Sequence, residues 1–108
     1  MSEIIELNKD NIQNLKKLLF DKNKTAIIKF WAEWCGPCKK YAPIFEKYAE
    51  KTTNFIFAEV NIDEDDGTLT NMFSIKSIPT TVVVDSNMKV VNRINGAITE
   101  NQLEELTK

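Results

Sequence analysis

Residues 34–39, Trp34-Cys35-Gly36-Pro37-Cys38-Lys39, hold both cysteines of the chain. The run before them, Ala26-Ile27-Ile28-Lys29-Phe30-Trp31, has the composition of a buried strand. The pattern after them, over residues 39–52, has the spacing of an amphipathic helix. The cysteines therefore sit where a strand turns into a helix. Cysteines three apart at a helix start face the same way, so their sulfurs can come within bonding distance.

The chemistry of that position follows from the helix. Its first turn has unpaired N–H groups and about half a positive charge, which favours a thiolate. Cys35, just outside the first turn, gains most and is the expected nucleophile. Cys38, one turn inside, is shielded and is the expected resolving thiol. Gly36 has no side chain to block an approaching disulfide. Pro37 sets its φ in advance and lacks an N–H that the first turn could not use. Trp34 is expected to cover the sulfur on its outer side. A zinc half-site is the alternative, but zinc takes four ligands and the chain has no other cysteine and no histidine. The pair therefore reads as a redox dithiol, with no metal.

Trp34-Cys-Gly-Pro-Cys-Lys39, with Phe30-Trp31-Ala32-Glu33 before it, resembles the active site of the thioredoxin family. Asn61-Ile62-Asp63, Ile78-Pro79-Thr80 and Gly96-Ala97 match the family in order and spacing, so the resemblance covers essentially the whole chain. It implies a cis Ile78–Pro79 bond, with Pro79 packed beside the cysteines. The Ile78 backbone would then pair with an extended target, one strand added edge-on. By the same similarity the substrate groove is completed by Trp34, Ile62, Ile78, Pro79, Gly96 and Ala97.

Two positions depart from the family pattern. Asn95 stands before Gly96, where the family usually has an apolar residue; it either makes the groove more polar or is a turn residue at a strand end. Lys29 interrupts the apolar run where the family most often has a buried aspartate, and Glu59 stands where that aspartate's lysine partner is usual. Neither charge can be buried alone, since an isolated buried ion costs several kcal/mol. The two are expected to form a partly buried pair beneath Cys38. Glu59 would handle the proton and Lys29 would stabilise thiolate, or the exchange is structural compensation only.

The remaining sequence gives an order of elements. Residues 3–7 read as an outer strand, with Asn8 or Asp10 available to cap the next helix. Ile12, Leu15, Leu18 and Leu19 recur at helical spacing. Tyr41, Ile44, Phe45, Tyr48 and Ala49 mark one side of the long helix; Pro43 within it predicts a kink, and the resemblance, since the family has a proline there too, implies a bend rather than an end. Residues 54–61 read as a second buried strand, and residues 63–67 as an acidic loop with capping residues, too short for a calcium loop. A short helix carries Leu69, Met72 and Phe73. Residues 80–84 and 89–95 read as a hairpin, and Thr99 caps a last helix with Leu103 and Leu106 inward. The order β-α-β-α-β-α-β-β-α belongs to the α/β class: a central mixed five-stranded sheet flanked by four helices. That is the thioredoxin fold, here over residues 1–108 as one domain.

Bulk composition narrows the function. The chain has 108 residues, enough for one core but not two. A net charge of −2 speaks against nucleic acid held by a basic face. No apolar run approaches the roughly 20 residues of a transmembrane helix. Residues 1–8 are short, acidic and without the apolar centre of a signal peptide, which predicts a cytoplasmic location. Both cysteines lie in one motif, consistent with a reducing compartment. Asn23-Lys24-Thr25 has the form of a glycosylation sequon and is read as chance.

The resemblance implies a protein-disulfide reductase active in electron transport and cell redox homeostasis. Its only redox group would be the Cys35–Cys38 disulfide, with no bound cofactor. Electrons would come from NADPH through a flavoprotein thioredoxin reductase, or from a glutathione system. Partners would be disulfide-containing proteins, and the chain is expected to be a monomer. The alternatives are a disulfide oxidant or isomerase, against which Gly-Pro between the cysteines and the absent histidine speak, and a non-catalytic thioredoxin-fold binding subunit.

Overall fold

The computed structural model of the chain describes residues 3–108. Met1 and Ser2, part of the segment read for an export signal, lie outside the described residues. The elements in order are β1 (Ile4–Glu6), α1 (Ile12–Lys22), β2 (Thr25–Trp31), α2 (Gly36–Lys51), β3 (Phe55–Asn61), α3 (Thr68–Met72), β4 (Thr80–Val84), β5 (Val90–Asn95) and α4 (Glu100–Leu106).

Strand β2 is apolar at nearly every position, so it is stable only when covered on both faces, and it lies in the middle of the sheet. The strand order is β1-β3-β2-β4-β5. β3 pairs with β1 and β2 in parallel, while β4 pairs antiparallel with β2 and β5. The mixed sheet and four helices are those of the thioredoxin fold.

Alternation along β2 assigns its side chains to two cores. Ala26, Ile28 and Phe30 face Ile12, Leu15 and Leu19 of α1, with Leu69 and Phe73 at α3. Ile27 faces Tyr41, Phe45 and Tyr48 of α2, with Leu103 and Leu106 of α4. Each side chain that adds to one core leaves its neighbour to the other, because successive residues of a strand point to opposite faces.

The structure moves several boundaries. Helix α2 begins at Gly36, not at residue 39, because Pro37 suits a first turn and Cys35 can cap it. The helix runs on through Pro43 to Lys51. The cap position of α1 is Asn11, not Asn8 or Asp10. Asn8 Oδ1 instead accepts the N–H groups of Asp10 and Asn11, forming a turn one step ahead of the helix. The acidic loop does cap: Asp65 accepts the N–H groups of Gly67, Leu69 and Thr70 at the start of α3. Thr99 and Gln102 form a reciprocal capping box on α4.

Helix α2 is fastened to the sheet by one buried polar contact. The Tyr41 hydroxyl lies 2.6 Å from Thr81 Oγ1 on β4, and both residues are fully buried. Burial pushes the Tyr41 phenol well above its ordinary value, and the hydrogen bond to Thr81 opposes only part of that push. The folded chain therefore keeps this proton at a pH where the unfolded chain releases it, near 10. The resulting stability is fully present below about pH 10 and is lost as pH rises toward the folded value. Tyr41→Phe is expected to lower stability at pH 7 by about 2 kcal/mol, because Thr81 loses its buried partner. It is also expected to flatten the decline above about pH 10. Urea unfolding of both chains between pH 7 and 11 checks both effects.

Candidate active site

The site forms where β2 ends and α2 begins, at the C-terminal ends of the parallel strands. Cys35 is the N-cap residue of α2, with extended backbone, and Gly36 and Pro37 occupy the first turn. The N–H of Cys38 donates to Cys35 Sγ at 3.2 Å, so the sulfur takes the place that a serine or aspartate oxygen takes in most helix caps. The two cysteines are joined in a disulfide with their α-carbons 5.2 Å apart. Both are buried, Cys35 at 5% exposure and Cys38 at 2%.

Trp34, expected to cover the sulfur, is 67% exposed, and its indole N–H donates to Asp63 Oδ2 at 2.8 Å. The side chains packed against the cysteines and Ala32 are Trp31, Ile62 and Ile78. Trp31 is the residue that sequence reasoning passed over. It closes an apolar strand and so reads as ordinary core, although its place one step before the turn is the signal that could have singled it out.

The second segment of the site comes from far along the chain, just before β4. The Ile78–Pro79 peptide bond is cis. The Ile78 carbonyl oxygen lies 3.9 Å from Cys35 Sγ. Gly96 N–H donates to the Pro79 carbonyl at 2.7 Å, which ties this segment to the end of β5. Gly96 has φ +95°, a conformation glycine adopts without strain. Pro79 is buried, Ile62, Ile78 and Gly96 are half-buried, and Ala97 and Asn95 are exposed.

A family model for thioredoxin matches residues 4–108. The chain belongs to the thioredoxin family. A putative thioredoxin 2 of Streptomyces coelicolor is 38% identical over 90 residues, covering 83% of this chain and 63% of that protein, so this chain spans less than two thirds of its length. A thioredoxin of Mycoplasmoides gallisepticum is 37% identical over 90 residues, covering 83% of this chain and 88% of its own. Among solved structures, the short form of thioredoxin f from spinach chloroplast superposes with a TM-score of 0.86 at 30% identity, over 98% of this chain and 92% of that one. With its Cys-x-x-Cys pair at disulfide distance, the domain is a thioredoxin-type dithiol–disulfide oxidoreductase. Among the described residues no group of side chains suits a metal ion, and no helix is long and apolar enough to cross a membrane.

Against the usual thioredoxin pattern, the charged pair is inverted. Lys29 and Glu59 stand opposite each other in the β2–β3 register, with Nζ 3.3 Å from Oε1. Lys29 is 3% exposed and Glu59 21%. Glu6, Glu59, Lys29 and Thr81 share one register across four strands, so they point to the same face, that of α2. The Lys29 ammonium also lies 5.0 Å from the centre of the Phe45 ring and 5.8 Å from that of Trp31. It thereby meets the ring that packs on the cysteines, and its charge is partly offset by both aromatic faces. Glu59 borders a cavity of about 430 Å³ that Trp31, Glu6, Asp10 and Asp66 also line. Lys9 donates to Asp66 at 2.8 Å on its rim.

This asymmetry of burial makes the two charges unequal. Removing the carboxylate leaves Lys29 buried and unpaired, whereas removing the ammonium leaves Glu59 beside an open cavity. Glu59→Gln is expected to cost about 3 kcal/mol and Lys29→Met about 1 kcal/mol. The double variant is expected to recover most of the loss from Glu59→Gln, which urea unfolding of the three variants measures.

Proposed function

We propose that this domain is a reductase of protein disulfides, and that residues 1–108 act as one monomeric unit. The observation that carries this reading is Cys35 Sγ at the N-cap of α2, accepting the Cys38 N–H. A thiolate there is stabilised by a hydrogen-bond donor and by the positive end of the helix.

In the reduced domain the Cys35 thiolate attacks one sulfur of a target disulfide. The target's S–S bond breaks, a mixed disulfide forms, and the displaced target thiolate takes up a proton. Cys38 then loses its proton and attacks Cys35 Sγ. The mixed disulfide breaks, the second target thiolate leaves, and the Cys35–Cys38 bond forms. Two electrons pass to the target, and its two thiolates take up two protons, one released by Cys38 and one from solvent. An exogenous donor must return the electrons, either NADPH through a flavoprotein thioredoxin reductase or a glutathione system. The confinement of both cysteines to one motif supports a reducing compartment, the cytoplasm.

Trp34, Ile62, Ile78, Pro79, Gly96 and Ala97 would form the surface that meets the target, with the Ile78 backbone offered for strand pairing. Lys29 and Glu59 would support the redox site from the α2 face. Glu59 borders a cavity and holds Lys29, and Lys29 lies over Trp31. That geometry suits a carboxylate that takes the Cys38 proton through water.

Cys38→Ser is expected to accumulate a mixed disulfide with a protein target, visible on non-reducing gels, while Cys35→Ser forms none. Equal trapping by both variants, or full function of the Cys35→Ser, Cys38→Ser double variant, overturns the reading. Glu59→Gln is expected to shift the pH dependence of target reduction, and an unchanged pH–rate profile removes the proton role of Glu59 alone.

A further inference from the structure

The residue before Gly96 does something neither sequence expectation contained. Asn95 is the last residue of β5, as a strand-end residue should be, and its side chain reaches Thr80, its register partner on β4. Thr80 is 1% exposed, so its hydroxyl depends on protein partners. Thr80 Oγ1 lies 2.7 Å from the Ser77 carbonyl and 3.1 Å from Asn95 Oδ1, two acceptors for one hydroxyl hydrogen. A hydroxyl has one hydrogen and a carbonyl can only accept, so that hydrogen goes to Ser77. The amide must then be the donor. An asparagine amide has the same shape with oxygen and nitrogen exchanged, and donor balance turns Nδ2 toward Thr80. The result is a directed chain, from Asn95 to Thr80 to the Ser77 carbonyl.

That chain closes residues 77–80 into a staple, and the Gly96 N–H to Pro79 bond is a second tie, one residue beyond the Thr80–Asn95 rung of the β4–β5 ladder. Between the two ties lies Ile78, whose carbonyl oxygen is 3.9 Å from Cys35 Sγ. We propose that Asn95 is a positioning residue for disulfide exchange: through Thr80 it holds the Ile78 backbone at a set place beside Cys35, so that a polypeptide paired with Ile78 brings its disulfide into line with the attacking sulfur. The inference rests on the reductase reading above and deepens it by naming what orients the target. A displaced Ile78 backbone pairs less well with the polypeptide, which weakens its binding in the ground state and the transition state alike and so raises KM. A small disulfide makes no strand pairing and gains nothing from the staple, so Asn95 discriminates in favour of polypeptide targets.

The test uses the full chain with two substrates, insulin as a polypeptide disulfide and 5,5′-dithiobis(2-nitrobenzoate) as a small one. Asn95→Ala is expected to raise KM for insulin about five-fold with little change in kcat, and to leave the small disulfide within about two-fold. Asn95→Asp keeps the shape but cannot donate when ionised, so it is expected to behave as Asn95→Ala does. Thr80→Val is expected to show at least the same KM effect, and the double variant with Asn95→Ala no more than Thr80→Val alone. Unchanged KM for insulin in Asn95→Ala overturns the proposal, as does an equal loss with the small disulfide, full additivity of the two variants, or wild-type behaviour of Asn95→Asp. A wild-type chain that fails to reduce insulin overturns the reductase reading and this inference together. A wild-type chain that reduces it beside an unaffected Asn95→Ala overturns this inference alone.

Discussion

A helix that starts at the edge of a sheet leaves backbone N–H groups pointing at empty space, and something must accept from them. In this chain the acceptor at the start of α2 is the sulfur of Cys35. That one contact joins folding to chemistry. Once reduced, a sulfur at the positive end of a helix with a backbone N–H beside it is in a setting that favours thiolate. The rest of the structure keeps it there. β2 delivers Cys35 to the cap position, Pro37 sits in the first turn, and Tyr41, Phe45 and Tyr48 fasten the helix behind them to the sheet. A rotation of α2 about its axis would move Cys38 away from Cys35 and lift Tyr41 from Thr81 at once.

The sheet tolerates a charge in its central strand because register provides the answer to it. Lys29 and Glu59 are 30 residues apart in sequence yet face each other across neighbouring strands. Phe45 and Trp31 offer the ammonium two aromatic faces, and the cavity beside Glu59 gives the carboxylate access to solvent. Exchanging acid and base between the two strands preserves the neutral sum of the pair. It changes which of the two reaches water.

Much of the fold was legible in the sequence because its signals are local. Apolar runs, helical spacing and turn residues each report on fewer than about 18 neighbours, and together they yield the correct order of elements. Boundaries and caps were less legible. Asn8, Asp10 and Asn11 are all competent caps, and the choice among them depends on how the chain leaves β1, which no residue type encodes. The amphipathic pattern of α2 shows only from residue 39, because its first turn is filled by Gly36, Pro37 and Cys38, which carry capping chemistry rather than helical periodicity.

The sequence by itself determined the chemistry: a cysteine pair with one-turn spacing at a helix start, no other cysteine and no histidine, and a second segment at Ile78-Pro79 recognisable by resemblance. Tertiary structure alone decided which side chains surround that pair. Trp31 packs against the cluster of Ala32 and the cysteines, Trp34 donates to Asp63, and the Asn95 amide serves Thr80. The physical reason is reach. Spacing along a chain states what a residue can do, but hydrogen-bond partners in a β-sheet site come from strands distant in sequence, and only the register between those strands selects them.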